Sequence, residues 1–256
     1  MITKKQKGTQ MKNFYFYKFD GGEIVHIKNS DFCFEEHCHA DDFIFTAVID
    51  GGVFLEKNGE KRLLKSGDIF GVQPFWGHSL ASEGKAEILS VCVNKKIIYE
   101  FPPEDFSEFL NGLMNKIPDK IKLNKNFLQE EIFKIHEKNY GLQTSVQTAF
   151  ERSRDRLADM LSSCPENEKN IDFYAKEIFV SKFYYIKKIK EISGLTPHKL
   201  IVQSRVRKAQ KLLADGEGIA DAAAFAGFYD QSHFNKYFKK IVGITPLEYI
   251  NSLKIF

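Results

Sequence analysis

Cysteine is scarce in this chain. Four residues, Cys33, Cys38, Cys92 and Cys164, are spread over 256, which fits a reducing compartment better than a disulfide framework, so the cytoplasm is the expected location. Long apolar runs are missing too: none reaches the roughly 18 residues of a membrane span, and no membrane partner is expected. The first twelve residues, MITKKQKGTQMK, do not lead into the apolar core of a secretory signal; they read as a polar tail, with Met11 as a second candidate start. Charge of one sign is hardly in excess, at +3 overall. Its distribution is uneven, with 15 lysines and arginines against 10 carboxylates from Glu166 onward and 22 against 24 before it. The basic share therefore lies in the last third, as an electrostatic footprint on nucleic acid would require.

What is present divides by period. From Phe14 to about Val93, short β-branched and aromatic runs alternate with turn residues. Phe43 to Ile49 should be a strand turned by Gly51-Gly52, and Asn58-Gly59 is the best hairpin signal in the chain. Short strands so closely spaced predict a small barrel or jelly roll. From Glu104 to about Cys164 the spacing becomes helical, with stripes at Phe106, Phe109, Leu110 and Leu113, at Phe127, Leu128, Ile132, Phe133 and Ile135, and at Phe150, Leu157, Met160 and Leu161. Each stripe suits either packing on the barrel or a seam with a second copy. Cys164 to Asn170 is polar and carries a proline, as a linker would.

The last third contains a repeat. Gly243-Ile-Thr-Pro246 echoes Gly194-Leu-Thr-Pro197 at an interval of 49 residues, which also maps Tyr185, Ile189 and Ile192 onto Phe234, Phe238 and Ile241. Those positions recur at helical spacing and should face inward. Opposite them lie Lys182, Phe183, Ile186, Lys187 and Lys190 in one copy and Gln231, Ser232, Asn235, Lys236 and Lys239 in the other. Amide, hydroxyl and ammonium groups can reach base edges and phosphates, although a solvated helix face looks the same. Ahead of the second copy, Ile219, Ala222, Ala223 and Ala226 offer a close-packing face and Gly227 a φ > 0 turn. Asp230, Thr196 and Thr245 should cap helices. Pro197 to Leu213 reads as one helix of roughly 25 Å, which suits two recognition helices in successive major-groove segments about 34 Å apart.

Residues 170 to 250 resemble the DNA-binding domain of AraC-type transcription regulators, on Gly227-Phe228-Tyr229-Asp230-Gln231-Ser232-His233-Phe234, on Gly243-Ile-Thr-Pro246-Leu-Glu-Tyr249, and on Arg205, Ala209, Leu212 and Leu213 between the copies. Lys187 and Lys236 stand where the family usually has arginine. Lysine keeps the charge and loses the bidentate fork to guanine, which favours phosphate contact or looser base reading. Phe183 and Ile186 could touch thymine methyls or pack on the other domain. More loosely, His37-Cys38-His39, Gly67-Asp68, Pro74 and His78 resemble the cupin-like domain that commonly precedes this one.

The two resemblances imply a tail (1–12), a cupin-like all-β barrel with flanking helices that binds an effector and pairs subunits (13–163), a linker (164–170) and an all-α domain with two helix-turn-helix motifs on a linker helix (171–256). Cupins hold a metal with a His-x-His pair, a carboxylate and a later histidine. Here Asp41 and Asp42 come too early for the carboxylate, and regulators of this type generally keep a metal-free barrel, so neither metal nor cofactor is assigned. His37, His39 and His78 then belong at the mouth of an effector pocket, with Phe45 and Trp76 lining it; metal binding and ordinary packing stand as alternatives. Cys33 and Cys38 beside them raise oxidant or soft-metal sensing, against which a buried cysteine behaves as a small hydrophobe. The expected protein is a sequence-specific, non-enzymatic regulator that binds double-stranded DNA and a small effector as a homodimer, with RNA polymerase a further candidate partner. The competing expectations are a metal-dependent cupin enzyme with a helical appendage and a regulator whose barrel only dimerises.

Overall fold

Side-chain alternation along the strands gives the N-terminal half two faces, and each face is covered by a different set of helices. The structure, a computed structural model, describes residues 13–57, 59–117, 125–139, 171–177 and 179–255. The expected tail, the third helical stripe, the linker and Cys164 lie outside the described residues.

The strands are β1 (Phe14–Phe19), β2 (Gly22–Ser30), β3 (Cys33–His37), β4 (Asp42–Lys57), β5 (Glu60–Lys65), β6 (Ile69–Val72) and β7 (His78–Asn94). They form one sheet in the order β5-β4-β7-β2-β1, with β3 paired to β7 and β6 to β4. β4 and β7 pair along their whole length, and each exchanges its other neighbour part-way along: β6 then β5 on β4, β3 then β2 on β7. The two long strands thereby bend the sheet into a jelly-roll-like barrel. Gly51-Gly52 was expected to end a strand and does not. β4 runs straight through with its register shifted between Val48 and Gly52, a bulge made by Gly51 at φ +79°, where a Cβ would sit 2.7 Å from the Lys85 carbonyl. β4 and β5 pair antiparallel with Lys57 opposite Glu60, where the hairpin was expected, and Asn58 itself lies outside the described residues.

One sheet face carries Ile24, Phe43, Phe45, Leu89, Val91 and Val93 into a cluster with Phe106, Leu110, Leu113, Leu128 and Ile132. These last five lie on α2 (Pro103–Lys116) and α3 (Lys125–Asn139), which follow the short α1 (Lys95–Glu100). Phe109, Phe133 and Ile135 are half-buried against this cluster, while Phe127 of the second stripe is exposed.

The other face meets the C-terminal half, made of α4 (Ile171–Glu177), α5 (Lys182–Ser193), α6 (Pro197–Ala214), α7 (Ile219–Phe225), α8 (Gln231–Val242) and α9 (Pro246–Ser252). Its helix ends are encoded locally. Ser181, Thr196, Asp230 and Thr245 each accept a hydrogen bond from the backbone three residues on, and Gly194 and Gly243 close α5 and α8 in the left-handed region. Gly243 is doubly constrained, because a Cβ there would lie 2.7 Å from the Phe34 ring. Phe14, Phe16, Ile27, Leu80 and Ile88 share one apolar cluster with Val206, Ala209, Phe234, Phe238 and Tyr249, so barrel and helices have a common core. The helical half also adds to the sheet. After α9 the chain extends as β8 (Leu253–Ile255) and pairs in parallel with Phe16–Lys18 of β1.

Candidate nucleic-acid interface and interdomain cavity

On α5, Tyr185 and Ile189 are buried while Lys182, Phe183, Lys187 and Lys190 are exposed and Ile186 is half-covered; on α8, Phe234, Phe238 and Ile241 are buried while Gln231, Ser232, Asn235, Lys236 and Lys239 are all exposed. Phe183 is 85% exposed, so it does not pack against the barrel. Lys182 and Lys187 make surface ion pairs with Asp172 and Glu191 at 3.0 and 3.9 Å. Such pairs are weak and exchange readily for a phosphate. Tyr229, just ahead of α8, is 97% exposed.

Helix α6 roofs a cavity of about 930 Å³. Its barrel wall is the sheet face carrying Phe16, Val25, Ile27, Ile44, Thr46 and Ser90, and its roof carries Leu200, Gln203, Ser204, Arg207, Lys208 and Lys211. Polar contacts close the joint. Gln203 accepts from Cys38 N at 3.1 Å and donates to the Glu36 carbonyl at 3.4 Å. Gln210 and Tyr249 donate to the Glu23 carboxylate at 3.3 Å, and Arg207 donates to Gln210 at 2.7 Å. Desolvation raises the Glu23 pKa, against the pull of Lys18 and Arg207. Lys199 and Lys240 reach Glu36 and Glu35 at 3.3 and 2.6 Å. At the far end Gly77 sits so close to α5 that a Cβ would lie 2.4 Å from the Ser193 carbonyl.

His37, His39 and His78 all line this cavity. Their ring centroids are 4.3 Å (His37 to His78), 5.1 Å (His37 to His39) and 5.6 Å (His39 to His78) apart. Burial lowers all three pKa values, that of His78 to about 4, so the rings are neutral near pH 7. Two expected pocket residues are elsewhere. Phe45 belongs to the cluster under α2 and α3: on β4 it is one residue out of phase with Ile44 and Thr46, and a strand sends neighbours to opposite faces. Trp76 lies outside the cavity, with the Lys57 ammonium 3.5 Å from its ring centroid. Sequence reasoning passed over Arg207 and Gln203, whose only signal was a polar stripe on a helix assigned as a spacer. Cys38 is buried and its thiol is pushed up to about 12 by desolvation, which leaves it inert as a thiolate nucleophile near neutral pH.

Residues 174–252 match the family model described as a helix-turn-helix domain. The chain is 30% identical over 86 residues to the HTH-type transcriptional regulator MtrA of Neisseria gonorrhoeae, an alignment covering 33% of this chain and 29% of that one. It is 30% identical over 108 residues to the HTH-type transcriptional activator RhaS of Escherichia coli O157:H7, covering 41% and 39%. The match thus spans well under half the length of these curated relatives. Over the whole fold, ToxT from Vibrio cholerae superposes with a TM-score of 0.62 at 17% identity, across 91% of this chain and 98% of that one. A second ToxT structure, described as unsaturated fatty acid bound, gives 0.57 at 18%, covering 94% and 95%. At these identities the likeness establishes the two-domain fold: a sheet-rich half followed by a helical helix-turn-helix half.

Proposed function

We propose, from the premise that residues 174–252 form an AraC-type helix-turn-helix domain, that this chain is a sequence-specific transcription regulator whose DNA binding responds to a small molecule in the interdomain cavity. The observation that carries the reading is the double duty of α6. One side of this helix roofs the cavity through Gln203 and Arg207, and its two ends lead to the α5 and α8 units whose polar faces are exposed. A ligand touching that roof acts on the element that spaces the two recognition helices. The curated relatives that match part of this chain are transcription regulators, which supports a non-enzymatic role.

Lysines at 182, 187, 190, 236 and 239 supply phosphate attraction, while Gln231, Ser232 and Asn235 read base edges. Lys236→Ala is expected to weaken binding to all sequences alike and to lower the slope of log K against log salt by about 1. An unchanged slope in a fluorescence anisotropy titration counts against a phosphate contact.

The effector reading draws on the fatty acid named for the ToxT structure and on the cavity's chemistry. Phe16, Val25, Ile27 and Ile88 form an apolar wall, and Lys18, Arg207 and Lys211 lie on the same cavity's surface. An amphiphilic carboxylate suits both. An unsaturated fatty acid at a hundred times its Kd should stabilise the protein by about 2.7 kcal/mol, read as a rise in Tm. Arg207→Ala should remove most of that rise, and a rise of equal size in the variant contradicts the placement.

A further inference from the structure

A buried charge is unfavourable unless something answers it, and the cavity beneath α6 holds two of opposite sign that do not answer each other. Arg207 lies on the α6 roof, and Asp42, at the start of β4, lies on the barrel wall in phase with Ile44 and Thr46 along the strand. Both are half-buried. The Arg207 guanidinium donates to the neutral Gln210 side chain at 2.7 Å. Among the described residues no donor reaches the Asp42 carboxylate, and neither Arg207 nor Asp42 belongs to an ion pair. The acids around them are satisfied: Asp41 pairs with Lys95 at 3.1 Å, and Glu23 accepts from Gln210 and Tyr249 and stands opposite Lys18 across β1 and β2. The three histidines of the cavity are neutral near pH 7 and bring Asp42 no charge. Desolvation holds the Asp42 carboxyl above its ordinary pKa, and of the charges that act on it Arg207 is the strongest. The two groups are near enough to attract and too far apart to bond.

We propose that the cavity is built for a zwitterion, an α-amino acid or close relative with an apolar side chain, whose carboxylate meets Arg207 and whose ammonium meets Asp42. This ligand class rests on the reading of the cavity as the effector site, and narrows it from any amphiphilic carboxylate to one with a protonated amine beside the acid. A carboxylate alone satisfies Arg207 but brings a second negative charge towards an Asp42 that still lacks a partner; an amine alone does the reverse. A zwitterion answers both and leaves the net charge of the cavity unchanged. Two charge-assisted hydrogen bonds of about 2.8 Å, one at each end of the short N–C–C–O backbone of an amino acid, reach across a gap on the order of 8 Å. The apolar side chain then lies against Phe16, Val25 and Ile27 on the same wall. Arg207 anchors any carboxylate, and Asp42 decides which carboxylates are preferred.

The test is titration calorimetry on the full-length chain with octanoic acid, octylamine and 2-aminooctanoic acid, which share an eight-carbon chain and differ in the charged head. On the unmodified protein, 2-aminooctanoic acid is expected to bind about 10-fold tighter than either singly charged probe. Its N-acetyl derivative, which keeps the acid and loses the ammonium, should fall back to the affinity of octanoic acid. These comparisons use no variant, so folding does not enter them. Asp42→Asn, matched in size, should lose the preference for the amino acid while binding octanoic acid at least as tightly as the parent does. Arg207→Gln should bind 2-aminooctanoic acid no better than octylamine. Octanoic acid bound with no gain from the amino group, or a preference kept in Asp42→Asn, overturns the zwitterion and leaves the effector reading standing. Absence of binding by all of the probes overturns both.

Discussion

Phe238→Ala is expected to destabilise the protein by about 3–5 kcal/mol, the range for emptying a buried phenylalanine site. Phe238 is fully buried in the cluster shared by barrel and helices. Its ring meets Phe234 edge-on at 5.3 Å and Tyr249 at 5.7 Å, and Tyr249 in turn meets Phe16 of β1 at 4.9 Å. This row of rings runs from the second recognition helix into the sheet, and the surrounding helices and strands are too tightly joined to collapse onto the space. For a chain of this size the loss corresponds to a fall in Tm of about 6–20 °C. Because both halves border the gap, they should be weakened together in one calorimetric transition. Asn235→Ala, on the other face of α8, should stay within about 0.5 kcal/mol of the parent while lowering DNA affinity. Two resolved transitions in Phe238→Ala, with the barrel unfolding at the parental temperature, would show that the core is not shared.

The second large effect concerns acid. In metal-free protein, His78 has its pKa lowered from the ordinary 6.5 to about 4, chiefly by burial and further by Arg207 and Lys57, against the Trp76 carbonyl. The unfolded chain takes up this proton as pH falls below 6.5, whereas the folded chain refuses it until about pH 4. The unfolded state therefore binds more protons throughout that window, and stability must fall as pH falls. His78 alone accounts for about 3 kcal/mol at 1.36 kcal/mol per unit, and His37 and His39, lowered in the same direction, add to it. Glu23 and Asp42 work the other way, because desolvation raises both and they gain stability on acidification. A comparison between variants removes that background. With chelator present, urea midpoints of His78→Gln should vary less between pH 7 and pH 4.5 than those of the parent. Parallel curves for the two would mean that His78 titrates alike folded and unfolded.

These two residues mark the limits of what could be read along the chain. Phe238 was legible from its spacing with Phe234 and Ile241, and from the 49-residue interval that repeats it as Ile189. The caps at Thr196, Asp230 and Thr245 and the turns at Gly194, Gly227 and Gly243 were legible for the same reason, since each is settled by bonds within a few residues. His37, His39 and His78 were visible as a pattern, yet their meeting depends on His37 pairing opposite His78 between β3 and β7, 41 residues apart. Phe45 was assigned to the pocket because it is aromatic and near; a shift of one residue would have placed it there, and nothing in a run of apolar residues states which parity is inward.

Local chemistry thus laid down the helices, their ends, the duplication and the polar faces, because hydrogen-bond geometry and helical period act over one or two turns. Packing alone settled the rest. The roof that Gln203 and Arg207 make over the barrel, the convergence of three imidazoles, the side on which Phe45 falls and the addition of β8 to β1 all arise between segments distant in sequence. Such contacts form only when two surfaces are buried together, and a one-dimensional pattern records that a residue wants burial without recording against what.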